Sequence, residues 1–260
     1  MKLFETTRRS LAAAALGLVL APTLATAQAQ PAPMEAKITL EADRVIELAF
    51  FNIEGGKEPD LMANYLPNIL PIAAKYGGSL LGVFNVTAVV EGEMRPQAIA
   101  IFAWDDLETR EVFVKQPEAI KLFPIRDEAL TFFKLGYYSV DQDTELTLRS
   151  DRVYEFFNAW TTDTAAASLP AYFENTAEVK TRYGSPQFIA ELQPHSYLRD
   201  IELDHMVHPD MAGIVEWVNT GAYYAMNTDP AFVEHKPLLD DALEDIQVLH
   251  TQFAFPPATQ

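Results

Sequence analysis

The sequence predicts an α+β protein made of two tandem ferredoxin-like (β-α-β-β-α-β) units, and three observations carry that expectation. The chain of 260 residues is a duplication: sliding it along itself sets Trp104 on Trp217, Ile101 on Ile214, Pro117 on Pro230, Pro124 on Pro237, Asp127 on Asp240 and Leu130 on Leu243. Within each copy, runs rich in β-branched and aromatic residues alternate with runs whose apolar residues recur at helical spacing. An apolar content of 49 % with no cysteine leaves packing alone to hold the fold.

In the first copy, residues 43–140, Val45–Ile53 reads as a strand ended by Glu54-Gly55-Gly56. Asp60–Lys75 reads as a helix with Leu61, Tyr65, Ile69 and Ala73 on one face, stopped at Tyr76-Gly77-Gly78 because glycine accepts left-handed backbone. Ser79–Val90 and Gln97–Trp104 are strands joined by a turn, Leu107–Lys115 and Pro117–Leu130 are helical, and Phe132–Val140 is the closing strand. A polar linker over residues 141–150 leads into the second copy, residues 151–256. There Val153–Trp160, Gln187–Ile201, Met211–Val218 and Gln247–Phe255 are strands, while Leu169–Arg182, Gly221–Asn227 and Pro230–Asp245 are helical. Phe50-Phe51-Asn52 is set against Phe156-Phe157-Asn158, and Tyr76-Gly77 against Tyr183-Gly184. The strand order in each copy is that of the split β-α-β unit.

The N-terminus has the three parts of a secretory signal: Lys2, Arg8 and Arg9, the apolar run Leu11–Ala21, and the small-residue site Ala25-Thr26-Ala27. Residues 1–27 are expected to be removed, residues 28–42 to form a flexible leader, and the protein to be periplasmic or secreted. Arg8-Arg9 also suits twin-arginine export, and an ordinary secretion signal fits as well. No later run is apolar enough for a membrane helix, so no membrane association is expected after cleavage. The formal charge of −18 at pH 7 disfavours nucleic acid as a partner.

Tyr76-Gly77-Gly78, Glu91-Gly92, Pro96, the strand Ala98–Phe102 and Arg126 together resemble the bacterial DUF1330 family, over roughly residues 45–140. The second copy departs from that pattern, with Ser185 for Gly78 and Leu239 for Arg126. The resemblance implies a dimeric α+β barrel, here formed within one chain, with a pocket in each unit between sheet and helices. That wider group holds cofactor-free oxygenases, isomerase-like enzymes, haem enzymes and proteins of no known activity, so fold leaves function open.

Candidate chemistry in the first copy is Arg126, whose forked donors suit a carboxylate or enolate, and Glu91, a general base if buried. Tyr65, Tyr76, Phe51 and Trp104 are the candidate ligand-binding wall. A surface pair of Arg126 with Asp127, a solvated Glu91 and a merely packed aromatic wall are the bland alternatives. His205 and His208 are spaced like metal ligands but lack two converging partners, so no metal site is expected. Walker, dinucleotide, zincin and nucleophile-elbow patterns are absent, and no cofactor is expected. The partner is expected to be a small organic carbonyl or carboxylate compound, bound by a monomer or homodimer. Isomerase, lyase and cofactor-free oxygenase chemistry stay open, as does a non-catalytic binding or stress protein.

Overall fold

Alternation of inward and outward residues along eight strands closes a barrel, and a computed structural model describes it over residues 32–195 and 206–255. The first unit runs β2 (Val45–Ile53), α1 (Glu58–Asp60), a π-helical turn (Leu61–Tyr65), α2 (Leu66–Lys75), β3 (Ser79–Glu91), β4 (Ala98–Trp104), α3 (Leu107–Val114), α4 (Pro117–Ile120), α5 (Phe123–Ala129) and β5 (Leu130–Ser139). The second runs β7 (Val153–Thr161), α6 (Ala165–Arg182), β8 (Gln187–Pro194), β9 (Met211–Trp217), α7 (Thr220–Asn227), α8 (Pro230–Val233), α9 (Lys236–Ala242) and β10 (Leu243–Phe253). The barrel order is β10-β3-β4-β2-β5-β8-β9-β7, so each unit supplies a four-stranded antiparallel sheet in the ferredoxin-like arrangement. The expected fold is the observed one, an α+β barrel of the dimeric type built from one chain.

The seams between the units differ. Along β10 and β3 the register runs from Val248 opposite Glu91 to Phe253 opposite Phe84, whereas among the described residues β5 and β8 pair through Tyr138 with Pro194 and Ser139 with Gln193, and the N–H groups of His195 and Val207 donate to the Tyr137 and Leu135 carbonyls beyond them.

The barrel interior is filled. Ile46, Leu48 and Phe50 from β2, Ile99 and Ile101 from β4, Phe156 from β7, Ile214 from β9 and Leu249 from β10 form one buried cluster. Phe84 centres it, with ring centroids 4.9 Å from Phe156 and 5.2 Å from Phe253, both edge-on as aromatic quadrupoles favour. A polar bridge across this core joins the units: the Tyr138 hydroxyl donates to Asn158 Oδ1 at 2.7 Å.

The expected leader and linker turn out to contain strands. β1 (Glu35–Leu40) pairs antiparallel with β6 (Thr144–Arg149), from Glu35 opposite Arg149 to Leu40 opposite Thr144. Their alternate residues Ile38, Leu40, Leu146 and Leu148 are buried in the barrel's interior cluster, so this ribbon lays its apolar face against the core. Each repeat therefore carries one more strand than expected. Other boundaries shift as well: β5 starts at Leu130 and β10 at Leu243, because these residues take extended backbone directly at the helix end.

The repeat register is also corrected. Val45 pairs with Trp104 in β4 and Val153 pairs with Trp217 in β9, which equates Val45 with Val153 and places Phe50 with Asn158. Matching the two Phe-Phe-Asn strings set the first strands two residues out of step. The shared string Asp-Arg-Val, at Asp43–Val45 and Asp151–Val153, gives the true register.

The other face of each sheet packs against helices. Val45, Ala49, Ala100, Trp104 and Tyr137 pack against helices in the first unit, and Val153 and Trp217 do so in the second. Equivalent caps hold the helices: Asp106 accepts from Thr109 N at 2.6 Å, and Asn219 accepts from Ala222 N at 2.8 Å.

Candidate functional site

In each unit the first strand of the sheet turns one glutamate toward the helices. Glu47 lies on β2 between Phe102 of β4 and Tyr137 of β5, and Glu155 lies on β7 between Val215 of β9 and His250 of β10. The two positions are equivalent, but their surroundings are not.

In the first unit Arg110, on α3, donates its Nε–H to Glu47 Oε2 at 2.9 Å. Both side chains are under a tenth exposed, at 9 % and 8 %, and the guanidinium lies 5.4 Å from the Tyr137 ring centroid. Charge, donor and acceptor are matched within the protein, as a buried ion pair requires. Trp104 packs at 5.0 Å from Phe113, which also lies 6.4 Å from Tyr76.

Arg126 sits nearby on α5, its guanidinium 4.7 Å from the Phe123 ring and 5.0 Å from the Phe133 ring. It is drawn to Asp127, to which its Nε donates at 2.8 Å. Burial pushes the Tyr65 hydroxyl pKa up, and the neighbouring Arg126 opposes this. Phe51 pairs with Phe133 across β2 and β5. Arg126, Tyr65, Tyr76, Phe51 and Trp104 thus all come to the first unit's helix-facing layer. Glu91 does not join them. It ends β3 opposite Val248 of the second unit, and its charge acts on Tyr223 instead.

In the second unit no arginine reaches the glutamate among the described residues. Tyr223, on α7, stands at the place of Arg110, each four residues past its helix cap. Glu155 Oε2 accepts from Trp217 Nε1 at 3.0 Å, and His250 Nε2 lies 3.5 Å from the same oxygen. His250 is 0 % exposed, neither ring nitrogen has a hydrogen-bond partner among the described residues, and Tyr223 meets its ring edge-on at 4.6 Å. A buried imidazole in that condition calls for a partner, since desolvated polar atoms are otherwise costly.

The second unit's helices carry a further cation. Lys180, on α6, holds its Nζ 4.8 Å from the ring centroids of both Tyr172 and Phe173. Burial pushes the Lys180 amine down to about 8, with the Glu155 charge resisting the fall. Burial likewise raises the hydroxyls of Tyr172 and Tyr223, reinforced in both by Glu155. Phe157, two residues along β7 from Glu155, touches Phe188 at 5.7 Å between centroids. Phe173 and Phe188 are 49 % and 51 % exposed.

A separate open groove of about 620 Å³ runs over the first unit's helices, lined by Lys57, Asp60, Asn64, Asn68, Leu122, Pro124, Ile125, Glu128 and Ala129. Among the described residues no three His, Asp or Glu side chains converge as metal ligands. His205 lies outside the described residues. The carboxylate of Asp210 is engaged by Thr161, whose N–H and hydroxyl both donate to it.

The arrangement defines a class before any relative is considered: a dimeric α+β barrel in one chain, with one charge-matched helix-facing layer and one that is not. The NIPSNAP family profile matches residues 46–118, from β2 to α4 of the first unit. No curated protein sequence matches the chain. Among solved structures, an anthrone oxidase-like protein superposes with a TM-score of 0.51 at 14 % identity, covering 84 % of this chain and 94 % of that one. A mutant chlorite dismutase from Candidatus Nitrospira defluvii gives a TM-score of 0.51 at 8 % identity, covering 82 % and 92 %. At such identities these likenesses establish the fold.

Glu155, His250, Lys180, Trp217 and Tyr223 were not singled out from the sequence. A signal for Glu155 was available in the strings Asp43-Arg44-Val45-Ile46-Glu47 and Asp151-Arg152-Val153-Tyr154-Glu155, which differ at one position. Nothing local marks His250 inside its apolar strand.

Proposed function

We propose that the protein is exported to the periplasm and binds a small, largely apolar carbonyl or carboxylate compound in the second unit, between its sheet and its helices, where Glu155 and His250 move a proton. The observation that carries this reading is the buried imidazole 3.5 Å from a carboxylate, both of its nitrogens without a hydrogen-bond partner among the described residues, at the place where the first unit has a satisfied ion pair. An imidazole held by a carboxylate is a general acid and base suited to neutral pH. Phe157 and the half-exposed Phe188, in contact with each other, suit a flat apolar ligand. The DUF1330 resemblance supports a pocket between sheet and helices, and the anthrone oxidase-like neighbour supports a ring ketone as one ligand type. Isomerisation, lyase chemistry and cofactor-free oxygenation all begin with such a proton transfer.

The first unit offers a second reading, in which Arg126 and Tyr65 hold the ligand's anionic end beneath Phe51. The closeness of the Arg126 guanidinium to both Tyr65 and Phe133 favours it.

Native mass spectrometry after incubation with a metabolite extract separates the readings. Retention or conversion of a compound should fall at least tenfold in Glu155→Gln and His250→Asn. The same loss in Arg126→Ala, with those two variants unaffected, would move the site to the first unit. A compound retained with unchanged mass after long incubation would mark a binding protein without catalysis.

A further inference from the structure

We propose that the open groove over the first unit's helices is a separate binding site that takes a small organic ammonium ion. The proposal goes beyond the reading of the second unit and shares no residue with it.

A one-residue difference between the copies carries the argument. At the end of the first strand Glu54 matches Thr162, since their N–H groups donate to the equivalent carbonyls of Ala129 and Ala242. At the helix stop Tyr76 matches Tyr183, since their N–H groups donate to Ala73 and Lys180, each three residues back. The first unit holds one residue more between those two points. It is taken up in the π-helical turn, where the Leu66 N–H donates to the Leu61 carbonyl five residues back, while α6 runs as α-helix from Ala165 to Arg182. Proline does not account for the turn, because α6 contains Pro170 and stays α-helical. Single π turns recur at functional sites.

The seam beside this turn is latched in one copy and open in the other. In the second unit the hydroxyls of Thr162 and Thr164 donate to the Asp241 carbonyl at 2.7 and 2.8 Å, and that of Ser168 to the Asp241 carboxylate at 2.6 Å. Counting from Glu54 and Thr162 sets Gly56 with Thr164 and Asp60 with Ser168, and Glu128 matches Asp241 one residue before the paired alanines. Glu54, Gly56 and Asp60 offer Glu128 no hydroxyl. What is a hydrogen-bonded seam in the second unit is in the first the groove of about 620 Å³, with Asp60 and Glu128 both in its lining.

That lining selects the ligand. Neither carboxylate has an ion-pair or hydrogen-bond partner among the described residues, and Lys57 is the one cation beside them in the groove. Asn68 spends its Nδ2 on the Asn64 carbonyl at 2.8 Å, which leaves its Oδ1 to accept. An ammonium brings three N–H donors, enough for both carboxylates and this amide. Leu122, Pro124 and Ile125 supply an apolar wall for a short hydrocarbon body. A merely hydrated seam is the competing account. It predicts no saturable binding at this place.

Titrating the isotope-labelled full protein with benzylamine at pH 7, in ~0.15 M salt so that charges beyond ~8 Å are screened, tests the proposal. Backbone amide shifts should saturate and centre on Asp60, Asn64, Asn68 and Glu128. Benzyl alcohol, the neutral analogue, should bind at least tenfold more weakly. Glu128→Gln should weaken benzylamine binding about tenfold by removing a charge-assisted hydrogen bond. Asp60→Ser should do the same by returning the hydroxyl that closes the second unit's seam. Shifts that stay linear, that spread over other acidic surface, or that survive both substitutions unchanged would overturn the proposal. Displacement of benzylamine by equimolar calcium would overturn it too, because the carboxylates would then be a metal site.

Discussion

The two helix-facing layers of this barrel began as copies and now do different things with the same glutamate. Around Glu47 the chain supplies Arg110, and the carboxylate is consumed by the fold. Around Glu155 it supplies Trp217, His250 and Tyr223, which leave an acceptor and an imidazole facing each other with unused capacity.

The difference can be broken most forcefully from the first unit. Arg110→Ala leaves Glu47 buried without its cation, and should cost about 3–5 kcal/mol in urea unfolding. Glu155→Gln, which removes no ion pair of that kind, should cost under ~1.5 kcal/mol. Equal losses would mean that the two layers are energetically alike. Next in size is the bridge between the units: Tyr138→Phe strands Asn158 Oδ1 in the barrel core and should cost about 1–3 kcal/mol by the same measurement. Smaller again is a helix stop. Ser185 holds φ 49° where the first copy has Gly78, so Ser185→Gly should gain ~1 kcal/mol by relieving left-handed backbone strain.

A pH dependence is expected from Lys180 as well. The folded Lys180 pKa lies below its unfolded value, so between pH about 8 and ~10 the unfolded chain holds the extra proton and stability rises with pH. Above ~10 the raised hydroxyls of Tyr172 and Tyr223 keep protons that the unfolded chain loses, and stability falls. Urea midpoints across that range should show the rise in the native protein and lack it in Lys180→Met.

Much of the fold was legible because duplication doubles the signal: Trp104 and Trp217 mark the same strand end, and Gly77 and Gly184 the same left-handed helix stop. The β1–β6 ribbon was not read, although Ile38 and Leu40, like Leu146 and Leu148, alternate with polar residues. Six-residue strands beside an Ala- and Pro-rich leader give a short pattern, and their burial depends on a barrel that the local sequence does not reveal. The first unit's aromatic wall was legible because Phe51, Tyr65, Tyr76 and Trp104 lie within one repeat. The Glu155–His250 pair was not, since it joins the first and last strands of a unit and depends on register. The string Phe-Phe-Asn displaced that register by two residues. Glu91 shows the same limit from the other side: a residue of the first copy, it is delivered to the second unit by the β3–β10 seam.

The central claim is that the second unit carries the ligand site. Titrating isotope-labelled protein with acetophenone and mapping backbone amide shifts tests it most directly. The account predicts that the largest shifts cluster at Phe157, Phe188, Tyr223 and His250, with Phe51, Tyr65 and Arg126 unmoved. Shifts centred on Phe51, Tyr65 and Arg126, with the second unit silent, would contradict it.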